Sequence, residues 1–571
     1  MDSYILNKSI NLTPPSAIVD ESKIWVAVPD SNGLSYSAGK VIFNLDNLAC
    51  SGSDYFSPSE SYIQIPLNLA VMFSSATNNA LLNSVDTTKC FENAFIAGLK
   101  NGSYNLIDKI NFKFAGNELI PLDNFENLKI HYKILTTWSQ DNVVKRGDEL
   151  YFALDDADST YFHTALGMSN NRLNTAATFD AGLFGMANKG KLQRMKKTSY
   201  SYLSTSGILS DNSLMINRRQ DYCQLTDNTI AGGHAVHTMN YLILMSIKLS
   251  DLHPLFEAMP LVKNPSMYLA LQLNVNSIHT HTVNAVGAIT GISVTNATNT
   301  CPYQLSEVGL TATKKGCSVS AETGTITSQI GVVQAKGILN GLNIVGQSHN
   351  TTTCIFNACF VKLNTEDYAI YANPSTAVKM VNWIECYCQS GGGLSSVFTN
   401  NSVTQLISGN FSKLRSIVIL PFLAGSSNGI SAISPIISTY SSEPSTLCAH
   451  LGSSAMSNFN VRLGVNNVFQ SNIQYGYENY LQYFRSQGAI NGGITNGISN
   501  GLISQSAWEQ GAYGYRVVDL TVKNKANDLA SQQITVQFQN NSGKTMDYIV
   551  LCYFEKNILI DTERGIIPQI N

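Results

Sequence analysis

Residues 101–140 read NGSYNLIDKINFKFAGNELIPLDNFENLKIHYKILTTWSQ, and this stretch decides our interpretation of the fold. Apolar Ile110, Phe112 and Phe114 alternate with polar residues, which is the period of a half-buried strand. Gly116-Asn117 then predicts a turn into a second apolar run, LIPL. The stretch therefore predicts two short strands joined by a tight turn.

The segment after this turn fits a helix and a strand equally well. Asp123 and Glu126 have the spacing of a capping box. Helical spacing is met by Phe125, Leu128, Tyr132 and Leu135. Strand spacing is met by Leu128, Ile130, Tyr132 and Ile134. We predict a helix, because a second copy of the unit has a clearer helical pattern.

The second copy is FNVRLGVNNVFQSNIQYGYENYLQYFRS, residues 459–486. The alignment pairs Ile110 with Phe459, Asn111 with Asn460, Lys113 with Arg462, Asn117 with Asn466, and Leu119-Ile120 with Val468-Phe469. Helical spacing follows at Tyr477, Tyr480, Leu481 and Phe484. One strand–turn–helix unit in each half of the chain predicts two similar domains in tandem.

Length and composition indicate a large globular protein with an unusual surface. A chain of 571 residues holds two large domains or several small ones. Only 13% of its residues are charged, about half the usual quarter of a soluble chain. Interfaces are depleted in charge, so the composition suggests a surface covered by partners. An all-β protein with Asn-, Ser- and Gly-rich loops has the same composition, and both interpretations hold together.

Charge and targeting features exclude several classes. The net charge of −3 provides no global basic field that would recruit nucleic acid. The first residues lack the pattern of a signal peptide, so we expect synthesis in the cytosol without secretion. The longest apolar run, YLILMSI at 241–247, is shorter than a membrane helix needs. The 11 cysteines include the close pairs Cys354/Cys359 and Cys386/Cys388, and we interpret them as buried reduced thiols.

Strand patterns recur along the whole chain and are separated by loops of very uneven length. We predict strands at residues 39–45, 61–73, 267–276, 353–363, 378–388, 414–424, 459–465, 515–524, 532–540 and 546–556, and a strand that ends before a turn at 251–254. We predict a helix over residues 78–98, a loop at 51–61, an irregular region at 141–235 and a surface loop at 488–505. Many strands with few helices indicate β-sandwiches rather than a parallel α/β sheet.

The order of these features resembles the major capsid proteins of polinton-like viruses, virophages and related small DNA viruses of eukaryotes. The resemblance is carried by residues 36–43 (YSAGKVIF), 61–69, 98–120, 124–142, 248–276 and the strand YRVVDLTVKN at 515–524. It implies an all-β fold of two tandem eight-stranded antiparallel jelly-rolls with short helices and long loops. We place an N-terminal arm at residues 1–30, the first jelly-roll at 31–280 and the second at 281–571.

The same resemblance implies a function in the virion. Three chains are expected to form a pseudo-hexameric homotrimer that tiles an icosahedral shell around double-stranded DNA. Its partners would be copies of itself, neighbouring capsomers, and penton and minor capsid proteins. The expected role is structural, with no catalysis and no cofactor.

Patterns that carry chemistry are weak in this sequence. Gly425, Ser427 and Gly429 satisfy GxSxG after a predicted strand, but the residues that follow include Pro435 and make a poor helix, so we interpret the pattern as a loop. Asp155, Asp156 and Asp158 lack the glycine and terminal Glu of a calcium loop, so we interpret them as a solvated acidic loop.

Four histidines form the nearest approach to a metal-binding set. They are His234, His237, His279 and His281. His279 and His281 share one face of a predicted strand, yet no Asp or Glu stands at matching spacing. We therefore favour ordinary loop or hydrogen-bonded histidines and predict no metal site.

One basic cluster is present. It comprises Lys189, Lys191, Arg194, Lys196 and Lys197, with Arg218-Arg219 further on. A sequence-independent contact with the phosphates of packaged DNA is one interpretation. We favour the alternative, a solvated loop or a salt-bridge patch between subunits.

Two other functions remain open from the sequence alone. A penton, minor capsid or receptor-binding virion protein fits the same fold class, although a penton needs only one jelly-roll. A β-sandwich carbohydrate-binding protein or glycoside hydrolase requires paired carboxylates beside aromatic platforms. With 4 Trp and few acidic residues, the chain offers no convincing pair.

Overall fold

The described part of the chain is a set of antiparallel sheets with short helices. This computed structural model describes residues 20–33, 35–36, 39–46, 54–75, 95–154, 223–230, 234–275, 278–283, 289–295, 302–307, 324–332, 338–339, 342–343, 353–373, 377–394, 402–409, 411, 413–423, 456–474, 476–482, 501–503, 515–520, 533–541, 546–565 and 567. Every strand pairing within these ranges is antiparallel. No helix in them is long and apolar enough to span a membrane.

The strands of the first part of the chain run from β1 to β16. They are β1 (Asp20–Pro29), β2 (Lys40–Asn44), β3 (Asp54–Ser75), β4 (Phe95–Leu99), β5 (Ile107–Phe114), β6 (Asn117–Ile120), β7 (Cys223–Ile230), β8 (His234–Lys248), β9 (Met267–Leu273), β10 (Ile278–Val283), β11 (Ile289–Thr295), β12 (Tyr303–Glu307), β13 (Gly324–Val332), β14 (Ile338–Leu339), β15 (Leu342–Asn343) and β16 (Ile355–Leu363).

The remaining strands and the helices complete the set of elements. The strands are β17 (Val378–Leu394), β18 (Ser402–Ile407), β19 (Leu414–Leu423), β20 (Met456–Leu463), β21 (Asn466–Asn467), β22 (Arg516–Asp519), β23 (Ile534–Asn540) and β24 (Met546–Asp561). The helices are α1 (Glu126–Thr137), α2 (Gln140–Arg146), α3 (Leu249–Leu252), α4 (Pro254–Ala258), α5 (Thr365–Tyr371) and α6 (residues 476–482).

Strands β17 to β24 form a jelly-roll, which we call the C-terminal sandwich. One sheet has the order β17-β24-β19-β22, and the other has the order β18-β23-β20-β21. Counted along the chain, these orders are first-eighth-third-sixth and second-seventh-fourth-fifth. That interleaving of eight antiparallel strands between two sheets defines the jelly-roll.

The first part of the chain repeats this order and forms the N-terminal sandwich. Its two sheets contain β1-β16-β3-β8 and β2-β9-β5-β6. The other strands are additions to this plan: β13, β10 and β11 extend from the far half of β3, β7 pairs with β8, and β4 pairs with β12. The predicted fold of two tandem eight-stranded antiparallel jelly-rolls is therefore confirmed.

Strand pairing places the boundary between the two sandwiches later in the chain than the sequence suggested. Strand β16 pairs with β3 on one edge and with β1 on the other, so it closes the N-terminal sandwich. Strand β1 is thereby part of a sheet, although the sequence suggested an arm over residues 1–30. We infer that the N-terminal sandwich extends to Leu363, in place of the boundary near residue 280.

The hairpin that the sequence predicted in each half of the chain is present in both sandwiches. Strands β5 and β20 are each the fourth of their jelly-roll, and their residues follow the same order of burial along the strand. Asn111 Nδ2 donates to the carbonyl of Ile120 at 3.3 Å, and Asn460 Nδ2 donates to the carbonyl of Phe469 at 3.0 Å. The sequence alignment had paired these residues, and the shared hydrogen bond confirms it.

The helix after the first hairpin is also confirmed, but its predicted cap is wrong. Helix α1 begins at Glu126, and Phe125 occupies the N-cap position in a left-handed conformation without a side-chain cap. The Asp123 carboxylate instead accepts hydrogen bonds from Lys129 and from the backbone of Cys388. A lysine on the same helix and a strand of the other sandwich therefore use the carboxylate that the capping box would have used.

Three other local predictions need correction. Most of the predicted loop 51–61 is strand, because β3 begins at Asp54, and the hydroxyl of Ser61 donates to the carbonyl of Ser57 at 2.7 Å beside a register shift. The predicted helix 78–98 ends in β4, and its residues 78–94 lie outside the described residues. Of the irregular region 141–235, residues 155–222 are likewise outside, while α2 and β7 lie within it.

Each sandwich has its own apolar interior, produced by alternation along its strands. In β3 of the N-terminal sandwich, the inward residues are Ile63, Ile65, Leu67 and Leu69. In the C-terminal sandwich, Ile417 and Ile419 face Val461 and Val536 of the opposite sheet in one cluster. Because side chains alternate between the two faces of a strand, the residues between these point outward. The outward faces are the surfaces on which other elements pack.

We predict that the hairpin asparagines are equivalent supports of the two sandwiches. Both are buried and donate to a carbonyl in the following strand or just beyond it, so replacing either removes buried hydrogen bonds at a cost of about 1–3 kcal/mol. Asn111→Ala and Asn460→Ala should each lower the melting temperature in differential scanning calorimetry.

Asn466→Ala is the matched control, because Asn466 is exposed on β21, the short second strand of this hairpin. It should change stability by less than about 0.5 kcal/mol. A variant at Asn460 that melts like the Asn466 variant would contradict the proposed support.

Candidate functional site: the junction between the two sandwiches

The outward face of the β17-β24-β19-β22 sheet is apolar and buried against the N-terminal sandwich. Leu551 and Tyr553 of β24 and Val418, Leu420 and Phe422 of β19 belong to the same apolar cluster as the N-terminal interior. The alternate residues of these strands belong to the separate interior of the C-terminal sandwich. The sheet is therefore covered on both faces, although an antiparallel sandwich commonly exposes its outer face to water.

Helix α1 contributes to the cover of this face. The ring of Tyr132 lies 5.7 Å from that of Tyr515 and 5.9 Å from that of Tyr553, measured between centroids. Every residue of α1 is buried or half-buried, so the helix has no face in solvent. The backbone N–H of Leu502 donates to the carbonyl of Leu135 at 2.7 Å near the end of the helix. This contact buries Leu502 and Ile503, which the sequence placed in a surface loop.

A histidine of the N-terminal sandwich contacts a buried carboxylate of the C-terminal sandwich. Glu385 of β17 lies with Oε1 3.1 Å from Nε2 of His253, which stands between α3 and α4. Its Oε2 accepts from Trp383 Nε1 at 3.0 Å and from Lys556 Nζ at 3.4 Å. His253 Nδ1 accepts in turn from the backbone N–H of Leu255 at 3.2 Å, at the start of α4.

These partners control the ionisation of Glu385. Burial alone would raise the pKa of this carboxyl group, because it penalises the charged form. The attraction and hydrogen bond of His253, together with Lys556 and Trp383, outweigh burial and hold the pKa of Glu385 well below its usual range. The junction therefore contains a carboxylate that stays ionised.

A second carboxylate makes the reciprocal contact. Asp123 of the N-terminal sandwich accepts from the backbone N–H of Cys388 in β17 at 3.2 Å and from Lys129 Nζ at 2.8 Å. Lys129 Nζ also lies 3.1 Å from Glu126. Burial alone would lower the pKa of Lys129, but the carboxylates of Glu126 and Asp123 raise it above its usual value. Each sandwich thus supplies a carboxylate that is satisfied by the other.

The segments that leave β16 and β24 make a further contact between the sandwiches. Lys263 Nζ lies 3.4 Å from Glu563 Oε2, beyond β24, and 3.3 Å from the Tyr368 hydroxyl on α5. Tyr55 of β3 donates its hydroxyl to Glu563. The backbone N–H of Lys263 donates to the carbonyl of Thr562 at 2.8 Å. Helix α5, in the segment after β16, and the segment after β24 therefore contact the same corner of the N-terminal sandwich.

Five cysteines in the described part of the chain are free thiols. Cys354, Cys359, Cys388 and Cys552 are buried, as predicted, and Cys386 is half-buried. Burial raises the pKa of Cys552 to about 12, and burial is also the main cause that raises the pKa of Cys354 to about 12. Such thiols stay protonated and behave as apolar core groups.

The histidines singled out from the sequence are not brought together. His237 and His281 lie on β8 and β10, which are separated in the sheet by β3 and β13. Three strand spacings amount to about 14 Å between the two backbones. His279 is buried with its ring edge against Tyr303, at 5.0 Å between centroids. Within the described ranges, no group of three or more His, Cys, Asp or Glu side chains is arranged to hold a metal.

The other chemical patterns cannot be placed. Ser427 with its flanking glycines, the acidic loop at 155–158, the basic cluster at 189–197 and Arg218-Arg219 all lie outside the described residues. The junction roles of Glu385, His253 and Asp123, in contrast, were not predicted from the sequence. A signal for one of them was present, because Glu385 is a lone acid in the apolar strand VKMVNWIECYC.

We predict that Glu385 is required for the stability of the junction. Glu385→Ala leaves the imidazole of His253 and the indole N–H of Trp383 without their acceptor, and each buried donor left unsatisfied costs about 1–3 kcal/mol. Thermal unfolding at pH 7 should show this as a large loss. Glu257→Ala is the control, since Glu257 is an exposed partner of Lys133 and such pairs contribute about 0–1 kcal/mol.

The same residue predicts a pH dependence. A carboxyl whose pKa is lowered by folding stabilises the folded state above its unfolded pKa of about 4.3, and this contribution is lost as pH falls further. The difference in stability between wild type and Glu385→Gln should therefore shrink below about pH 4. A difference that stays constant from pH 7 to acid pH would show that ionised Glu385 does not stabilise the junction.

Comparison with solved structures finds chains of similar extent at low identity. A chain of the Sputnik virophage cryo-EM structure is 11% identical, with a TM-score of 0.49 over 95% of this chain and 87% of that chain. The Faustovirus major capsid protein is 9% identical, with a TM-score of 0.39 over 94% and 90%. A chain of the PBCV-1 virus capsid is 8% identical, with a TM-score of 0.36 over 96% and 97%. No protein-family model and no curated protein matches the sequence. The double jelly-roll is established by the strand order of this chain.

Proposed function

We propose that this chain is the major capsid protein of a DNA virus of the virophage and polinton-like kind. Three copies would form a pseudo-hexameric capsomer, and capsomers would tile an icosahedral shell around double-stranded DNA. The observation that carries the proposal is the duplication of one eight-stranded jelly-roll, in the same strand order, within a single chain. Two equivalent sandwiches per chain give six equivalent sandwiches in a trimer, which is the local symmetry that a shell of hexagonal tiles requires.

The surface of the chain supports a role in assembly. Charged residues make up only 13% of the sequence. Several large apolar side chains are exposed on the strands that form the edges of the two sandwiches: Ile24, Trp25 and Val26 on β1, and Val378 and Met380 on β17. Edge strands that face solvent normally carry charge or are covered. These edges are suited to contact with further copies of the chain.

The junction would contribute rigidity to the capsomer. Apolar contact around Tyr132 holds the sandwiches together, and the carboxylates of Glu385 and Asp123 fix their relative position. A shell transmits stress between capsomers, so the angle between the two sandwiches of one chain has to be fixed before assembly. The proposed mechanism is therefore structural, and it needs no catalytic step.

The wider setting belongs to the same proposal. The protein would be made in the host cytoplasm and located in the virion, with penton and minor capsid proteins as its other partners. A penton role for the chain itself is not favoured, because one jelly-roll suffices for a penton and this chain contains two. Contact between packaged DNA and the basic cluster at 189–197 stays a prediction from the sequence.

We predict a stable oligomer of three chains for the purified protein. Obligate interfaces of this kind commonly bury more than about 2,000 Å², so isolated chains should be scarce at micromolar concentration. Sedimentation velocity should give about three times the chain mass of 62.1 kDa, and electron microscopy should show particles with hexagonal outlines.

The exposed helix α2 provides a control for non-specific association. Val144 on α2 is 79% exposed, and Val144→Asp should assemble like the wild type. A compact wild-type monomer that persists at tens of micromolar would contradict the capsid proposal.

A further inference from the structure

The two sandwiches differ in what covers the helix after the repeated hairpin. The alignment that places Ile110 on Phe459 also places Leu128 on Tyr477 and Tyr132 on Leu481. Helices α1 and α6 are therefore equivalent elements of the two jelly-rolls. In α1, Leu128 and Tyr132 are buried, and Tyr132 contacts the outward face of the C-terminal sandwich.

The equivalent positions of α6 are open to solvent. Tyr477 is 49% exposed and Leu481 is 38% exposed. They stand one helical turn apart, so they share a face of the helix, and Glu478 beside them is exposed as well. Asn479, in contrast, is buried. Helix α6 thus exposes the two positions that are equivalent to the docking residues of α1.

The surface that would receive α6 is also identifiable. Helix α1 lies on the outward face of the β17-β24-β19-β22 sheet, and the equivalent sheet of the N-terminal sandwich is β1-β16-β3-β8. On that sheet Leu244 is 50% exposed, and it points outward because its neighbours Ile243 and Met245 point into the core. Trp25 on β1 pairs with Cys359 outside the same core and is 46% exposed.

The positions and charges of the two surfaces match. Tyr132 contacts Tyr553 on β24 and Tyr515, which directly precedes β22. Leu244 lies on β8, the counterpart of β22. Lys248 lies four residues beyond Leu244 on the same strand and therefore points to the same face. Its charge is opposite in sign to that of Glu478. Two exposed apolar residues beside one acid on the helix therefore correspond to an exposed leucine beside one base on the sheet.

We propose that α6 of one copy docks on the outward face of the β1-β16-β3-β8 sheet of a second copy, with Tyr477 and Leu481 against the surface around Leu244. This contact repeats between chains the contact that α1 makes within the chain. It rests on the proposed capsid function and specifies which surfaces join the copies.

The contact is heterologous, because it joins two different surfaces. Each copy has one helix to offer and one sheet face to receive the next helix. Such contacts continue from copy to copy and end only when a ring closes. Closure at three copies gives a ring of six sandwiches in which every helix of the α1 and α6 type is covered.

The test uses two variants, each of which removes one side of the contact. Leu481→Asp places a charge on the helix, and Leu244→Asp places one on the sheet face. Both positions are partly exposed, so circular dichroism and melting temperature should remain those of the wild type. Each variant alone should associate at least about tenfold more weakly than the wild type in sedimentation velocity. Val144→Asp, at an exposed position on α2, should associate normally.

Mixing the variants distinguishes this contact from any other. A Leu481→Asp copy keeps its sheet face and a Leu244→Asp copy keeps its helix, so a mixture should form a one-to-one dimer that neither variant forms alone. If the folded Leu481→Asp protein assembles like the wild type, the docking proposal is wrong and the capsid proposal stands. The docking proposal is equally wrong if the mixture stays monomeric while the wild type assembles. A wild type that is itself monomeric refutes the capsid proposal first.

Discussion

The covered outward face of the β17-β24-β19-β22 sheet is the constraint on which the rest of the structure depends. Burying a side chain such as Tyr553 or Leu551 in this contact contributes about 1.5–3 kcal/mol relative to solvent exposure. Exposed, the same face would be a large apolar patch of the kind that drives association or aggregation. The N-terminal sandwich, through α1, covers it within the same chain. The two jelly-rolls are thereby one body rather than two domains on a flexible linker.

Apolar contact alone would leave the relative position of the sandwiches poorly defined, because the hydrophobic effect is not directional. Two carboxylates supply the direction. Glu385 is bonded to His253 of the N-terminal sandwich, and Asp123 is bonded to the backbone of β17. A shift of one sandwich against the other would break both hydrogen bonds, at a cost of about 1–3 kcal/mol for each buried group left unsatisfied. The pairs therefore select one arrangement among those that bury the same area.

The fold was predictable where the signal is local. The alternation in INFKF and FNVRLGV, the turn after each strand and a buried asparagine identified two equivalent hairpins, and those hairpins occupy the same place in both jelly-rolls. The domain boundary was not predictable in this way. Strand β16 pairs with β3 and β1, some 300 residues earlier in the chain, and nothing in its own sequence indicates that partner.

The junction residues could not be predicted from the sequence for the same reason, because their partners are distant in the chain. A capping box at Asp123 was a sound local inference, but the carboxylate is used by Lys129 and by a strand of the other sandwich. His253 gave no pattern, because its partner Glu385 lies on a distant strand. What the sequence did offer was a single acid within an apolar strand. A buried acid requires a partner, so such a residue indicates a tertiary contact even when the partner is unknown.

Covalent linkage explains why equivalent helices differ in composition. Helix α1 meets its sheet at the high effective concentration of a single chain, so its docking face is never exposed after folding. A helix that docks between copies has to remain soluble in the free chain and pays the entropy of association when it binds. The exposed Glu478 of α6 suits those conditions, whereas the equivalent Lys129 of α1 is held by Asp123 and Glu126. The asymmetry between α1 and α6 is thus the expected result of using one contact both within a chain and between chains.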